Sequence, residues 1–226
     1  MKNEFQKRIL SSFILIPISF FFIIKGSIFF NLFLIICFLV TSYEWHKMTQ
    51  KKNYHLIGYL FLSFSFYCAY LLRKIDNEEG LIFLFVIIIC ISTDIGGYIF
   101  GKIFKGPKLT KISPSKTYSG MIGGFLLSII LINLFINYSY FFSKSFNLSS
   151  KDYNFETLII VILISSVSQL GDIIISNFKR LSKIKDTGKI IPGHGGLLDR
   201  IDGMIFAFPL SYIILISGIL KWKKKL

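Results

Sequence analysis

Residues 158–220 consist of three blocks: LIIVILISSVSQLGDIIISNF (158–178), KRLSKIKDTGKIIPGHGGLLDRIDG (179–203) and MIFAFPLSYIILISGIL (204–220). The outer blocks are apolar runs close to the ~20 residues that a helix needs to cross a bilayer. The middle block concentrates lysines, arginines, aspartates and glycines between them. A short charged loop between two apolar runs is typical of a helical membrane protein.

The rest of the chain repeats this alternation. Of its 226 residues, 53% are apolar and 17% are aromatic, and the mean hydropathy is +0.64, outside the usual range of soluble domains. Apolar segments occur at 10–24, 27–43, 56–72, 81–100, 121–136, 158–178 and 204–220. The loops are too short to house a separate soluble domain. The sequence therefore predicts an all-α fold: one membrane-embedded domain, residues 1–226, forming a polytopic helical bundle with about seven apolar segments.

The chain carries a formal net charge of +14, which raises the question of nucleic-acid binding. Its basic residues are spread over short inter-helix loops rather than along one soluble face, so we do not expect nucleic acid as a partner. The expected partners are the lipid bilayer, with its anionic headgroups, and nucleotide phosphates. A monomer and a homodimer both stay open, because no sequence pattern decides between them.

The positive-inside rule places the basic parts of the chain on the cytoplasmic side. These are the N-terminus and the loops 44–53, 101–116 and 179–202. The loops 73–80 and 138–156 are nearly charge-balanced and suit the opposite side. We therefore expect a multi-pass protein of the inner (cytoplasmic) membrane with its charged loop facing the cytoplasm. Seven crossings would leave the lysine-rich tail 221–225 outside, against the same rule, so either one segment does not cross or the tail is an exception.

Loop 179–202 has features that the charge bias of a cytoplasmic loop does not explain. Lysines and arginines alone would satisfy that bias, yet three aspartates stand among them, and a Gly-x-Gly-Gly turn at 193–196 precedes Asp-Arg-x-Asp at 199–202. Cations suit phosphate, carboxylates suit a divalent metal, and glycines let the backbone approach a ligand. We interpret this loop as an active site that holds a polyphosphate. His194, alone in its turn, is more typical of a substrate contact or a turn residue than of a metal ligand.

Two further aspartates, Asp94 and Asp172, lie inside apolar segments, where an ionised side chain costs roughly 2.5–3.5 kcal/mol at mid-membrane. Gly96-Gly97 and Gly171 flank them, so either the backbone approaches closely there or a helix breaks beside each acid. The cysteines are widely spaced in apolar segments and the histidines are unpaired. Oxygen ligands without thiolates favour a hard cation such as Mg²⁺ over zinc.

A second polar block, KISPSKT at 111–117, joins the fourth apolar segment to the fifth. Its hydroxyls, cations and proline-fixed turn can grip phosphate oxygens, although short basic loops with serine and proline are common. The block gains weight from its predicted position on the same side of the membrane as loop 179–202.

Several motifs together resemble the signature of the phosphatidate cytidylyltransferase (CDP-diacylglycerol synthase) family. They are, in chain order, Glu44-Trp45, Asp94-x-Gly96-Gly97-Tyr98, Ser113-Pro114-x-Lys116-Thr117, Gly171-Asp172, Ser176-x-x-Lys179-Arg180, Lys185-Asp186 and Pro192-Gly193-His194-Gly195-Gly196-x-x-Asp199-Arg200-x-Asp202. The resemblance covers most of the chain. Three departures stand out: Ile175 and Ser119 occupy places where many members carry glutamate, and the chain is shorter than typical members by a helix or two near the N-terminus.

The resemblance implies an integral membrane enzyme that joins CTP and phosphatidic acid to give CDP-diacylglycerol and pyrophosphate, with Mg²⁺. The residues are consistent with that chemistry. A phosphate monoester is already an anionic nucleophile, so attack on the α-phosphorus of CTP depends on positioning and charge neutralisation.

The charged residues of the motifs take roles on this basis. The predicted metal ligands are Asp94, Asp172, Asp199 and Asp202. The predicted catalytic set is Lys179, Arg180, Lys185, Asp186, Asp199, Arg200 and Asp202, whose cations cradle the triphosphate and the leaving pyrophosphate. The predicted substrate-binding set is Lys111, Ser113, Lys116, Thr117, Ser176, His194, Gly195 and Gly196, of which Lys111, Ser113 and Lys116 are expected at the lipid phosphate.

Two other classes stay as alternatives. A different CTP-using membrane enzyme would act on another lipid phosphate, or would be a polyprenol-type kinase that releases CDP and needs a base for the alcohol proton. An ion-coupled transporter also places acids beside glycines within membrane helices, but transporters of that kind often have repeated halves, which this sequence lacks.

Overall fold

The computed structural model describes residues 2–75, 80–110, 112–142, 155–193 and 195–217. The helices in these ranges are α1 (Lys2–Lys25), α2 (Ser27–Thr49), α3 (His55–Lys74), α4 (Leu81–Phe104), α5 (Tyr118–Phe142), α6 (Phe155–Leu181), α7 (Leu198–Ile201) and α8 (Met204–Ile216). Extended structure within the same ranges is limited to two isolated β-bridges. The predicted all-α class is confirmed.

Five of the described helices, α2 to α6, are long and apolar enough to cross a membrane. The apolar part of α1, Phe13–Lys25, and the 13-residue helix α8 are shorter. At 1.5 Å per residue α8 extends about 20 Å, against the ~30 Å of a bilayer's hydrocarbon core. Each of the seven predicted apolar segments overlaps a helix, but seven crossings are not confirmed. The tail 221–225 lies outside the described residues.

Helix α6 packs against three other helices, α4, α5 and α8. Helix α3 packs against α2 and α8. Side chains from different helices meet in the core, among them Ile89 of α4, Ile164 of α6 and Ile205 of α8, all at most 1% exposed. Apolar side chains on the outer face of α2, such as Ile35 and Ile36, are exposed. A lipid-facing surface has this character, because acyl chains replace water around it.

Glycines decide how closely the helices that carry the intramembrane acids approach their neighbours. A Cβ atom on Gly96 would lie 2.4 Å from the carbonyl oxygen of Gly123 on α5, and one on Gly171 would lie 2.6 Å from the ring of Phe206 on α8. Helices α4 and α6 run unbroken past their acids. Of the two alternatives stated for these glycines, the structure shows the close backbone approach and no helix break.

The loops that were predicted to share one side of the membrane meet at one end of the bundle. The loop between α4 and α5 is closed by a hydrogen bond from the Leu109 N–H to the Lys116 carbonyl, over 2.8 Å. The loop between α6 and α7 is closed by one from the Ile191 N–H to the Gly195 carbonyl, over 3.0 Å. Both closed loops, and the C-terminal end of α2, contribute residues to the site.

Candidate active site

An ion pair joins the loop before α5 to α6. The Nζ atom of Lys116 pairs with the Oδ2 atom of Asp172 and lies 3.5 Å from the Gln169 carbonyl oxygen. The hydroxyl of Ser176, one turn further along α6, donates to the other carboxylate oxygen of Asp172 over 3.3 Å. Three residues predicted from separate motifs are thus in contact, and Lys116 also lies within electrostatic reach of Asp202 in the loop 179–202.

Asp202 brings a second carboxylate to this place from the junction of α7 and α8. It is 7% exposed, and its Oδ1 atom accepts a hydrogen bond from the Gly203 N–H over 2.9 Å. Burial, and then the negative charge of Asp172, raise the pKa of the Asp202 carboxyl well above its usual range, while Lys179 and Lys116 oppose the shift. Asp94 on α4 is more open and lies within electrostatic reach of Asp172, Lys116 and Arg200.

A second cation and carboxylate pair lies beside these acids. The Nζ atom of Lys179 donates to the Oδ1 atom of Asp199 over 2.8 Å, and both side chains are nearly buried. The Oδ2 atom of Asp199 accepts the backbone N–H groups of Thr187 and Gly196 over 2.8 and 2.9 Å. Burial acts to raise the pKa of Asp199, but the hydrogen bonds from Lys179 and the two backbone groups outweigh it and hold the pKa below its ordinary value.

Glu44 is the functional candidate whose role the sequence did not indicate. The carboxylate of this α2 residue is 1% exposed and accepts hydrogen bonds from the Thr187 hydroxyl and from the backbone N–H groups of Leu197 and Leu198, over 3.1, 3.0 and 2.7 Å. The Glu44-Trp45 motif was a sequence signal for this residue, but nothing local to it indicates contacts with a loop more than 140 residues away.

The remaining residues of the predicted catalytic set lie at the surface of the same end. Arg180, Lys185, Asp186 and Arg200 are exposed. The guanidinium of Arg180 donates to the Ile184 carbonyl over 3.4 Å, and Arg200 acts electrostatically on Asp94. These side chains lie around the two ion pairs rather than in them, where they are accessible to a solvated ligand.

The predicted substrate-binding residues have varied surroundings. Ser113 contributes its backbone to the loop turn, through hydrogen bonds with Thr110 and Lys116. The Thr117 hydroxyl accepts the Gly120 N–H over 3.1 Å at the start of α5. Gly195 adopts a φ of 88°, which favours glycine. Lys111 and His194 lie outside the described residues.

The acids differ in how well they suit a metal ion. Both oxygens of Asp199 are taken by Lys179 and two backbone donors. Asp94, Asp172 and Asp202 repel one another electrostatically, and this excess of negative charge is what a hard divalent cation neutralises. Among the described residues, no group of three or more histidine, cysteine or acidic side chains is already gathered at metal-binding distances. Asp172 is likewise engaged at both oxygens, by Lys116 and Ser176, so it is the mutual repulsion of these three acids, and not free oxygens, that favours a divalent cation there over Asp199.

The fold and the site together define a class: a helical, multi-pass membrane protein with paired cations and carboxylates at one end of its bundle. A profile described as the Cytidylyltransferase family matches residues 6–75 and 58–217. The chain belongs to this cytidylyltransferase family.

Curated relatives support this membership. A protein of Rickettsia felis named phosphatidate cytidylyltransferase is 36% identical over 215 residues, which cover 94% of this chain and 93% of the relative. A protein of the same name from Rickettsia prowazekii is 36% identical over 218 residues, 94% of this chain and 92% of the relative. One from Staphylococcus haemolyticus is 36% identical over 162 residues, 71% of this chain and 57% of the relative. The protein is therefore a nucleotidyltransferase of lipid metabolism.

Proposed function

We propose that this protein is a phosphatidate cytidylyltransferase, which converts CTP and phosphatidic acid to CDP-diacylglycerol and pyrophosphate with Mg²⁺. The proposed location is the inner (cytoplasmic) membrane, with the site facing the cytoplasm. The observation that carries the proposal is the pairing of Lys116 with Asp172 and of Lys179 with Asp199 at one end of an apolar bundle. Cations held by carboxylates at a membrane boundary suit a lipid phosphate and a nucleotide phosphate side by side.

The reaction is a displacement at phosphorus. A phosphate oxygen of phosphatidic acid attacks the α-phosphorus of CTP, a new P–O bond forms, and the bond between the α-phosphorus and the bridging oxygen to the β-phosphate breaks. That oxygen keeps the bonding electrons and leaves as part of pyrophosphate. The nucleophile is already anionic, so the protein needs no general base and contributes positioning and positive charge.

The two lysines take different parts of this task. Lys116 lies beside the apolar helices that carry Asp94 and Asp172, so it is proposed to bind the phosphate of the lipid. Lys179 is nearly buried and held by Asp199, so it is proposed to face the triphosphate with a fixed orientation. The exposed Arg180, Lys185 and Arg200 supply further charge for the pyrophosphate. Ser113, Thr117, Ser176, Gly195, Gly196, Lys111 and His194 stay predicted substrate contacts.

Asp94, Asp172 and Asp202 are proposed to hold Mg²⁺. Held by these residues, a divalent cation would supply positive charge that offsets the charge of the phosphate groups. Asp94 and Asp202 both lie within reach of the negative charge of Asp172, which such an ion would offset.

The test uses purified protein in detergent micelles with α-labelled CTP and phosphatidic acid, with Mg²⁺ or with EDTA. We expect a labelled lipid and an equal amount of pyrophosphate only when Mg²⁺ is present. Labelled CDP without labelled lipid would instead indicate a lipid kinase and overturn the proposal. Product formed from another lipid phosphate but not from phosphatidic acid would overturn the substrate assignment. Sedimentation of the same sample distinguishes the monomer from the homodimer.

A further inference from the structure

The carboxylate of Glu44 binds a loop that is distant in the sequence. Glu44 lies near the C-terminal end of α2, and its three donors belong to residues 187, 197 and 198, 143 to 154 positions later. The donors are a hydroxyl and two backbone N–H groups, so within the described ranges these contacts are made to neutral groups. A buried carboxylate is costly unless it is hydrogen-bonded, so these contacts have to persist in the folded protein.

The glycines of the loop are what allow this close contact. A Cβ atom on Gly188 would lie 2.6 Å from the Oε1 atom of Glu44, and one on Gly196 would lie 2.6 Å from its Oε2 atom. Real Cβ atoms do not approach polar atoms to such distances. The sequence pattern suggested that glycines here let the backbone approach a ligand, but in this structure Gly188 and Gly196 approach the Glu44 side chain.

Glu44 and Asp199 hold the same short segments from two sides. Glu44 accepts the hydroxyl of Thr187, whereas Asp199 accepts the backbone N–H of the same residue. Glu44 also accepts the Leu197 N–H, whereas Asp199 accepts the N–H of the preceding Gly196. Since the other oxygen of Asp199 binds Lys179, movement of this loop would displace the ion pair.

We infer that Glu44 is a positioning residue: it fixes the loop 187–199 on the end of α2 and thereby orients the pair of Lys179 and Asp199, without touching the substrate itself. Its effect on turnover rests on the proposed function, while its effect on the loop does not. Glu44 therefore makes α2, which carries none of the cations of the site, part of the catalytic framework.

The main test is Glu44→Gln, which keeps the size of the side chain but turns one acceptor oxygen into an NH₂ group that faces N–H donors. We expect kcat to fall roughly ten- to a hundredfold, because a buried donor loses its acceptor. The KM for phosphatidic acid should change by less than about threefold, because its proposed contact, Lys116, lies in the other loop. Glu156→Gln, the same exchange at an exposed position on α6, should leave kcat unchanged.

A second readout is independent of activity. Lys185 and Lys189 are exposed in the loop, so trypsin cleavage after them reports local opening. We expect Glu44→Gln to be cleaved about tenfold faster than the wild type and Glu156→Gln to be cleaved at the wild-type rate. If the wild type showed no cytidylyl transfer, the proposed function would fail, and the cleavage rates would still decide whether Glu44 holds the loop.

A Thr187 series covers the case in which Glu44→Gln does not fold. Thr187→Val removes one hydrogen bond to Glu44 and retains the backbone N–H that binds Asp199. Thr187→Val should lose less kcat than Glu44→Gln and should be cleaved faster than the wild type. Thr187→Ser, which keeps the hydroxyl, should have the wild-type kcat and cleavage rate. Wild-type kcat and cleavage in folded Glu44→Gln, or in Thr187→Val if Glu44→Gln is unfolded, would overturn the inference.

Discussion

Replacing Asp199 with asparagine separates two explanations for this residue, because the sequence pattern assigns it to a metal ion and the structure assigns its oxygens to other partners. In the folded protein Oδ1 binds the Nζ atom of Lys179 at 2.8 Å, and Oδ2 accepts two backbone N–H groups at 2.8 and 2.9 Å. Asp199→Asn removes the charge and one of the two acceptor atoms. Either Lys179 or the two backbone donors then face an NH₂ group.

The size of the effect follows from these contacts. Hydrogen bonds to a charged group contribute about 1.5–3 kcal/mol each, and a neutral acceptor retains about half of that. Weakening three such bonds, and leaving a donor opposite an NH₂ group, should cost about 2–4 kcal/mol. The Asp199 side chain is only 6% exposed, so solvent screens little of this. If the whole loss appeared in the transition state, kcat would fall roughly 30- to 1,000-fold.

The assay measures labelled lipid formed from α-labelled CTP over a titration of Mg²⁺. If Asp199 orients Lys179, kcat falls and the Mg²⁺ concentration for half-maximal rate stays unchanged. If Asp199 is a metal ligand, that concentration rises as well. Glu156→Gln serves as the control for a carboxylate exchange. A folded Asp199→Asn enzyme with near wild-type kcat would refute both roles, and a shifted Mg²⁺ requirement would refute the argument from hydrogen bonding.

Four further substitutions, one of them a control, test other contacts. Lys116→Ala should mainly raise the KM for phosphatidic acid, and an unchanged KM with lost turnover would instead make Lys116 catalytic. Gly196→Ala should abolish most activity, because its Cβ atom would lie 2.2 Å from the Thr187 hydroxyl oxygen; wild-type activity would contradict the contact. Gly96→Ala should lower the unfolding temperature in detergent, at a cost of about 1–3 kcal/mol. Gly97→Ala should be tolerated, because the nearest atom to its Cβ would lie 3.7 Å away. Equal effects of the two substitutions would argue against the close approach of α4 and α5.

The helical class was predictable because apolar segments in a bilayer have few alternatives to the helix. The number of crossings was less predictable, because hydropathy locates an apolar segment more reliably than it gives the length of the helix. Residues 204–220 have the composition of a membrane helix, yet α8 ends at Ile216 after 13 residues and contains Pro209. Gly96 and Gly171 were recognised as places of close approach or of a break, and only the neighbouring helices show that close approach is what they provide.

The sequence by itself determined the class of the protein and predicted where its site lies. Cations, carboxylates and glycines between apolar segments suit a phosphate ligand, and their order matches a known family. Only the tertiary structure decided which side chains pair. Lys116 reaches Asp172, and Glu44 holds a loop that starts 143 positions later. Such pairs depend on which helix ends lie together in the bundle. The spacing of residues along one helix does not tell which other helix packs beside its end.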